Sequence, residues 1–158
     1  VDLAVDYLYL DEPDLLYQPI GEVRLAVIGR QGHPAFRDGL DKHAYQAAQH
    51  VSILPRAGRG SPLEIVLGSA KVRRQVQLQV PHYVTIPVIV ASTELLGTVP
   101  LHLARAFERH YGFEVAELPF EMPAIQISLI WHRQQQHAPA LRWLREQIAQ
   151  VFQHLGHP

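Results

Sequence analysis

A chain of 158 residues has room for one domain or for two small lobes sharing a hinge. With 47% hydrophobic and 18% charged residues it is ordinary for a folded globular protein, and a formal net charge of -1 leaves no basic surplus to hold nucleic acid through its phosphates. The absence of cysteine excludes disulfides and thiolate metal sites, and no apolar run in the sequence approaches the roughly 18 residues that span a bilayer.

Short apolar runs alternate with amphipathic stretches, the pattern of an α/β fold. Residues 1–9 read as a buried strand; because the chain opens on Val1 inside that run, an N-terminal part is expected to be missing. Asp11-Glu12-Pro13-Asp14 ends the strand in a loop. Residues 23–28 form a second strand closed by Gly29, followed by a turn at Gln31-Gly32-His33-Pro34. A short helix over 40–49 and a strand over 51–54 lead into a Gly- and Pro-rich loop at 55–62. A helix over 62–70 has Pro62 in its first turn, where the missing N–H is harmless. The polar/apolar alternation of Gln75-Val76-Gln77-Leu78-Gln79-Val80 predicts a strand with one wet face. Residues 83–92 read as helix and 95–99 as strand. The next helix is punctuated at both ends, by Pro100 before it and Gly112 after it. Strands over 113–118 and 125–131 follow. The last helix starts near Pro139, with Leu141, Leu144, Ile148, Phe152 and Leu155 as its apolar stripe and Arg142, Arg145, Glu146 and Gln150 elsewhere.

Four segments in order carry a resemblance. They are Arg30-Gln31-Gly32-His33-Pro34 after a strand, Val80-Pro81-His82-Tyr83, Thr98-Val99-Pro100 opening a helix, and Trp131-His132 followed by Pro139-Ala140-Leu141-Arg142-Trp143-Leu144-Arg145. Together they resemble the effector (co-inducer) binding domain of LysR-type transcriptional regulators over essentially the whole chain. The stretch from Val80 to Pro100 and the Trp-His…Trp-Leu-Arg ending are most similar to the branch that senses aromatic compounds, such as the salicylate and nodulation-flavonoid responders. The resemblance implies an α/β, two-lobed type II periplasmic-binding-protein-like fold with lobe I incomplete. Residues 1–10 would be the last strand of lobe I before a first crossing, 11–100 an effector-binding lobe II, and 101–158 the return crossing and the C-terminal part of lobe I. Hinge motion would sit near residues 8–16 and 99–103. It further implies a cytoplasmic regulatory domain that binds a small organic acid, an aromatic carboxylate, between its lobes to alter transcription. Its partners would be a second copy in a homodimer or tetramer, and promoter DNA only through a helix-turn-helix absent from these residues, with no membrane partner and no cofactor.

Among candidate site residues, His82 comes first. It follows a strand and precedes a helix, whose N-terminal N–H groups and partial positive charge suit a carboxylate. In the aromatic-sensing relatives the matching histidine lines the effector cleft. A histidine that only caps the helix is the alternative. The loop Arg56-Ala57-Gly58-Arg59-Gly60 could hold an anion with guanidinium and backbone groups, or could be plain solvated surface. Relatives carry a polar side chain where Ala57 falls. Tyr83, Ile86 and Pro87 could offer apolar or stacking surface to a ring, or pack in the core. His33-Pro34 reads as a structural turn, and Trp131 and Trp143 as packing. Ten histidines raise the question of metal, but His132 with His137, and His154 with His157, lack zinc-hydrolase spacing. No nucleophile elbow, P-loop or dinucleotide fingerprint is present, so no enzyme is expected. An extracytoplasmic solute-binding protein of the same fold is the rival function.

Overall fold

The computed structural model describes residues 2–7, 10–54, 62–69 and 71–155. In chain order the elements are β1 (Ala4–Asp6), β2 (Leu15–Val23), β3 (Leu25–Arg30), α1 (Lys42–Ala47), β4 (Gln49–Ile53), α2 (Pro62–Ser69), β5 (Gln75–Val80), α3 (Ile86–Ala91), β6 (Leu96–Pro100), α4 (Leu101–Tyr111), β7 (Phe113–Glu117), β8 (Ile125–His132) and α5 (Pro139–Leu155). Short 3-10 turns lie at Pro34–Phe36, Tyr83–Thr85 and Arg133–Gln135. The chain divides into two compact units: Val1–Val23 with Ala124–Pro158, and Arg24–Pro123. These borders differ from the expected 1–10, 11–100 and 101–158. Pairing explains the difference. β2 runs antiparallel to β8 from Leu15 to Val23, which keeps those residues in the first unit, and β7 pairs with β3, which keeps Phe113–Glu117 in the second. The chain passes between units at residues 23–24 and 123–124, rather than near 8–16 and 99–103.

The first unit is an antiparallel sheet in the order β1-β8-β2. Nothing in the periodicity announces β2, because Pro19 and Gly21 are both poor strand residues. A register shift between them absorbs the irregularity, so pairing resumes beyond it. Helix α5 packs Ile148, Ala149 and Phe152 against Ile20, Leu129 and Trp131. Two stripe assignments are corrected here. Leu144 is 37% exposed, while Arg145 is buried. The Arg145 guanidinium lies 4.3 Å from the centre of the Trp131 ring, and its Nη2 donates to the Gln136 carbonyl at 3.1 Å. Trp131 Nε1 in turn donates to Gln136 Oε1 at 2.8 Å. A face-on guanidinium covers an aromatic ring as an aliphatic side chain would, which hydrophobic periodicity cannot register.

The second unit is a mixed sheet in the order β5-β4-β6-β3-β7. β4 runs parallel to both β5 and β6, whereas β3 is antiparallel to β6 and β7. Alternate residues of β3 feed the two faces. Ile28 joins Val51, Val80, Val99 and Phe113 beneath Ile86 and Val90 of α3 and Ala104 of α4. Val27 joins Leu96 with Tyr45 of α1, Leu63 and Leu67 of α2, and Val72. Helices on both faces thus bury the central strands. Gly97 is required by this packing: a Cβ there would stand 2.4 Å from Ile86 Cγ2. Gly112 closes α4 at φ +62°, a left-handed conformation that costs glycine no Cβ clash. β5 departs from the one-wet-face expectation. Residues 75–79 are all exposed, including Val76 at 38% and Leu78 at 41%. It is an edge strand, paired on one side only, with β4, and just its last residue, Val80, enters the α3 core.

Candidate functional site

The parallel strands of the second unit end together. Ile53 of β4 is level with Val80 of β5, and the Leu54 N–H donates to the Val80 carbonyl at 2.9 Å. Val51 is level with Gly97 of β6, so β6 runs out at Pro100 on the same edge. β3 begins there, with Leu25 opposite Pro100, and the Leu101 N–H donates to the Arg24 carbonyl at 2.8 Å. In open α/β sheets the carboxyl ends of parallel strands form the usual ligand crevice, because loops diverge there and helix N-termini point toward it. Helix α4 starts on this edge with no side-chain cap at Pro100 and no acid in its first turn. The Leu101 N–H is taken by Arg24, so what this edge offers an anion is the rest of the first turn and the positive end of the helix dipole.

His82 stands two residues beyond the end of β5, on the same edge. Its backbone is extended, at φ −134° and ψ 136°, and its carbonyl accepts from Thr85 Oγ1 at 2.7 Å. The imidazole is exposed and does not cap the following turn, so capping does not account for it. Tyr83 is half-buried against the α3 core. Ile86, expected to offer surface to a ligand, is instead fully buried. It fills the space above Gly97, and Pro87 is buried beside it. Both are core residues, because α3 turns that face inward onto β3, β4 and β6. Arg56, Ala57 and Gly58, with Arg59 and Gly60, lie outside the described residues. Strand β4, which leads to them, ends beside Val80.

The opposite edge of the sheet is built for structure. Arg30 grips Glu94 through Nε–Oε1 at 2.6 Å and Nη2–Oε2 at 3.0 Å, and that hydrogen bond holds the Glu94 carboxyl below its usual range. His33 Nδ1 accepts the Ala35 N–H at 3.1 Å, which leaves the proton on Nε2 to donate to the Glu94 carbonyl at 3.0 Å. The buried His33 is thus a structural turn residue, as its sequence suggested.

Sequence reasoning missed a buried polar cluster under α1 and α2. The hydroxyls of Tyr45 and Thr98 share a hydrogen bond of 3.1 Å. His50 Nε2 donates to the Tyr45 carbonyl at 2.7 Å, and its Nδ1 is buried without a partner. Burial above all, with the charges of Arg74 and His33 adding to it and the hydrogen bond to Tyr45 opposing it, brings the His50 imidazole down to about 4. Arg74 Nη2 donates to Ser52 Oγ at 3.0 Å and pairs with Glu64. Polar residues between apolar ones in a strand such as Gln49-His50-Val51-Ser52-Ile53 give no sign of which side chains are enclosed together. Among the described residues no group of three His, Asp or Glu side chains is placed to hold a metal ion, and no helix is long and apolar enough to cross a membrane.

The α/β architecture is one that transcriptional regulatory domains share. Residues 1–153 match the LysR substrate binding domain family, and the chain belongs to it. The HTH-type transcriptional activator NagR of Ralstonia sp is 27% identical over 152 residues, covering 96% of this chain and 50% of NagR. The chain spans about half the length of the curated relatives it matches. The regulatory domain of MexT, a transcriptional activator in Pseudomonas aeruginosa, superposes with a TM-score of 0.79 at 25% identity, covering 96% of this chain and 72% of that one. The effector binding domain of QuiR, solved in complex with shikimate, has a TM-score of 0.73 at 17% identity over 98% of this chain and 69% of its own, a likeness of fold alone. The fold class is the type II periplasmic-binding-protein-like one expected from the sequence.

Proposed function

We propose that the chain is the ligand-sensing regulatory domain of a LysR-type, DNA-binding transcriptional regulator, and that it binds a small organic acid, an aromatic carboxylate. The observation that carries this is the shared carboxyl edge of β4, β5 and β6, where the exposed His82 and the uncapped start of α4 face the same border of the sheet. His82 donates to the carboxylate, the α4 N-terminus stabilises its charge, and Tyr83 borders the ring. Arg56, Ala57 and Gly58, which follow β4, complete the anion's surroundings. Binding regulates only to the extent that the acid prefers one conformation of the protein, by no more than its differential affinity.

The protein acts in the cytoplasm as a homodimer or tetramer without catalysing a reaction, and promoter DNA is a partner only through a helix-turn-helix beyond these residues. The exposed edge of β5, with Val76 and Leu78, suits pairing with a second copy. Relatives that are transcriptional activators favour the regulator over a solute-binding protein. The test is calorimetric titration of the chain with salicylate and benzoate. His82→Ala should weaken binding about ten- to one-hundred-fold, the loss of one hydrogen bond to a charged group, with an unchanged melting temperature. Equal affinity in wild type and variant counts against the role of His82.

A further inference from the structure

We propose that Thr85 is a positioning residue for His82: its hydroxyl holds the His82 carbonyl, and this keeps the imidazole out of the turn and on the carboxyl edge. Thr85 Oγ1 donates to that carbonyl at 2.7 Å, and the Thr85 N–H donates to the same oxygen at 3.2 Å. Two donors from one residue fix the plane of the peptide between His82 and Tyr83 against the start of α3.

The chain carries its own comparison. Each of the three 3-10 turns among the described residues opens on a histidine: His33, His82 and His132. At two of them the imidazole folds back onto the turn. His33 Nδ1 accepts the Ala35 N–H at 3.1 Å, and His132 Nδ1 accepts the Gln134 N–H at 3.2 Å. His82 makes no such bond to Val84, which stands in the matching place. The backbone shows why. ψ is nearly the same at the three, 133° at His33, 136° at His82 and 139° at His132, but φ is −63° at His33, −76° at His132 and −134° at His82. The more extended φ swings the His82 side chain away from the turn. Of the three turns, the one that His82 opens ends on a hydroxyl: Thr85 stands where Phe36 and Gln135 stand in the others.

Helix capping does not explain Thr85. It is the N-cap residue of α3, where a threonine oxygen usually accepts an N–H from the first turn, yet it makes no such bond. Pro87, in that turn, has no N–H to give. Bonding back to a carbonyl three residues earlier adds nothing to a helix. What the exposed hydroxyl secures is the conformation of His82. The consequence for effector binding rests on the function proposed above; the conformation of His82 does not.

Nuclear magnetic resonance of labelled chain separates the two. In Thr85→Val, which keeps the branched shape without the donor, His82 should fall into the capping conformation of His33 and His132. Its Nδ1 should then accept from Val84 with the proton on Nε2, and the Val84 amide should move downfield and exchange about ten-fold more slowly. Affinity for salicylate should drop about ten-fold. Thr85→Ser, which restores the hydroxyl, should match wild type on both counts. In a His82→Ala background, Thr85→Val should change the affinity no further. Wild-type resonances of His82 and Val84 in Thr85→Val overturn the proposal. So does a loss of affinity that persists undiminished in the His82→Ala background, which places the role of Thr85 elsewhere. If the wild-type chain binds neither salicylate nor benzoate, the effector reading fails, and the resonances of His82 and Val84 still decide what Thr85 holds.

Discussion

Burial holds the His50 imidazole neutral, and this gives the fold a specific sensitivity to acid. Its folded value of about 4 lies below the ordinary 6.5, so between those limits the unfolded chain binds the proton that the folded chain refuses. Stability is therefore fully present above about pH 6.5 and declines as pH falls toward 4. The full difference corresponds to about 3 kcal/mol, an upper figure because local opening would relieve it. Denaturant unfolding of wild type and His50→Gln across this range should give a flatter profile in the variant, and parallel profiles would contradict the assignment. Elsewhere at this scale, sequence distinguished well between residues whose role is local and poorly between residues whose role depends on enclosure. His33 reads correctly as a turn residue because its bond to the Ala35 N–H is two residues away. Ile86 could be core or cleft on sequence grounds, since apolar surface for a ring and apolar surface for packing are the same chemistry. Only the direction in which α3 faces decides it.

Elements with their own punctuation were legible. Pro100 and Gly112 bracket α4 as expected, and β5 falls at Gln75–Val80. β2 was not legible, because its Pro19 and Gly21 are tolerated only through a register shift against β8. The stripe on α5 was half right, because Arg145 buries itself over Trp131. Packing of α3 on β6 can be tested directly. Gly97→Ala should cost about 1–3 kcal/mol, since the added methyl meets Ile86 and Val90 in a filled core. Gly68→Ala in α2 meets nothing within 4 Å and should stabilise by about 0.5–1 kcal/mol. A melting temperature that rises with the first or falls with the second would contradict this packing. On the exposed edge, replacing Val76 and Leu78 together with lysine should shift a self-associating chain toward monomer in sedimentation velocity, with the fold intact. An unchanged oligomer would place the contact elsewhere.

Across the molecule, two units are made from three stretches of chain, and the second is a continuous α/β layer whose strand order puts three carboxyl ends side by side. Recurring short segments were enough to indicate the family and fold, because their order is set by the same strand–helix alternation that builds the sheet. Unit borders were less legible, since long-range pairing of β2 with β8 and β7 with β3 decides them and leaves no local mark. The central claim is that a small organic acid seats on the carboxyl edge of the second unit. It is tested most directly by titrating salicylate into isotope-labelled chain and following backbone amide chemical shifts. Saturable changes should gather at Leu54, at His82 and Tyr83, and at Leu101 and His102. Changes confined to Arg30, His33 and Glu94 on the opposite edge, or none at all across a panel of aromatic acids, would contradict it.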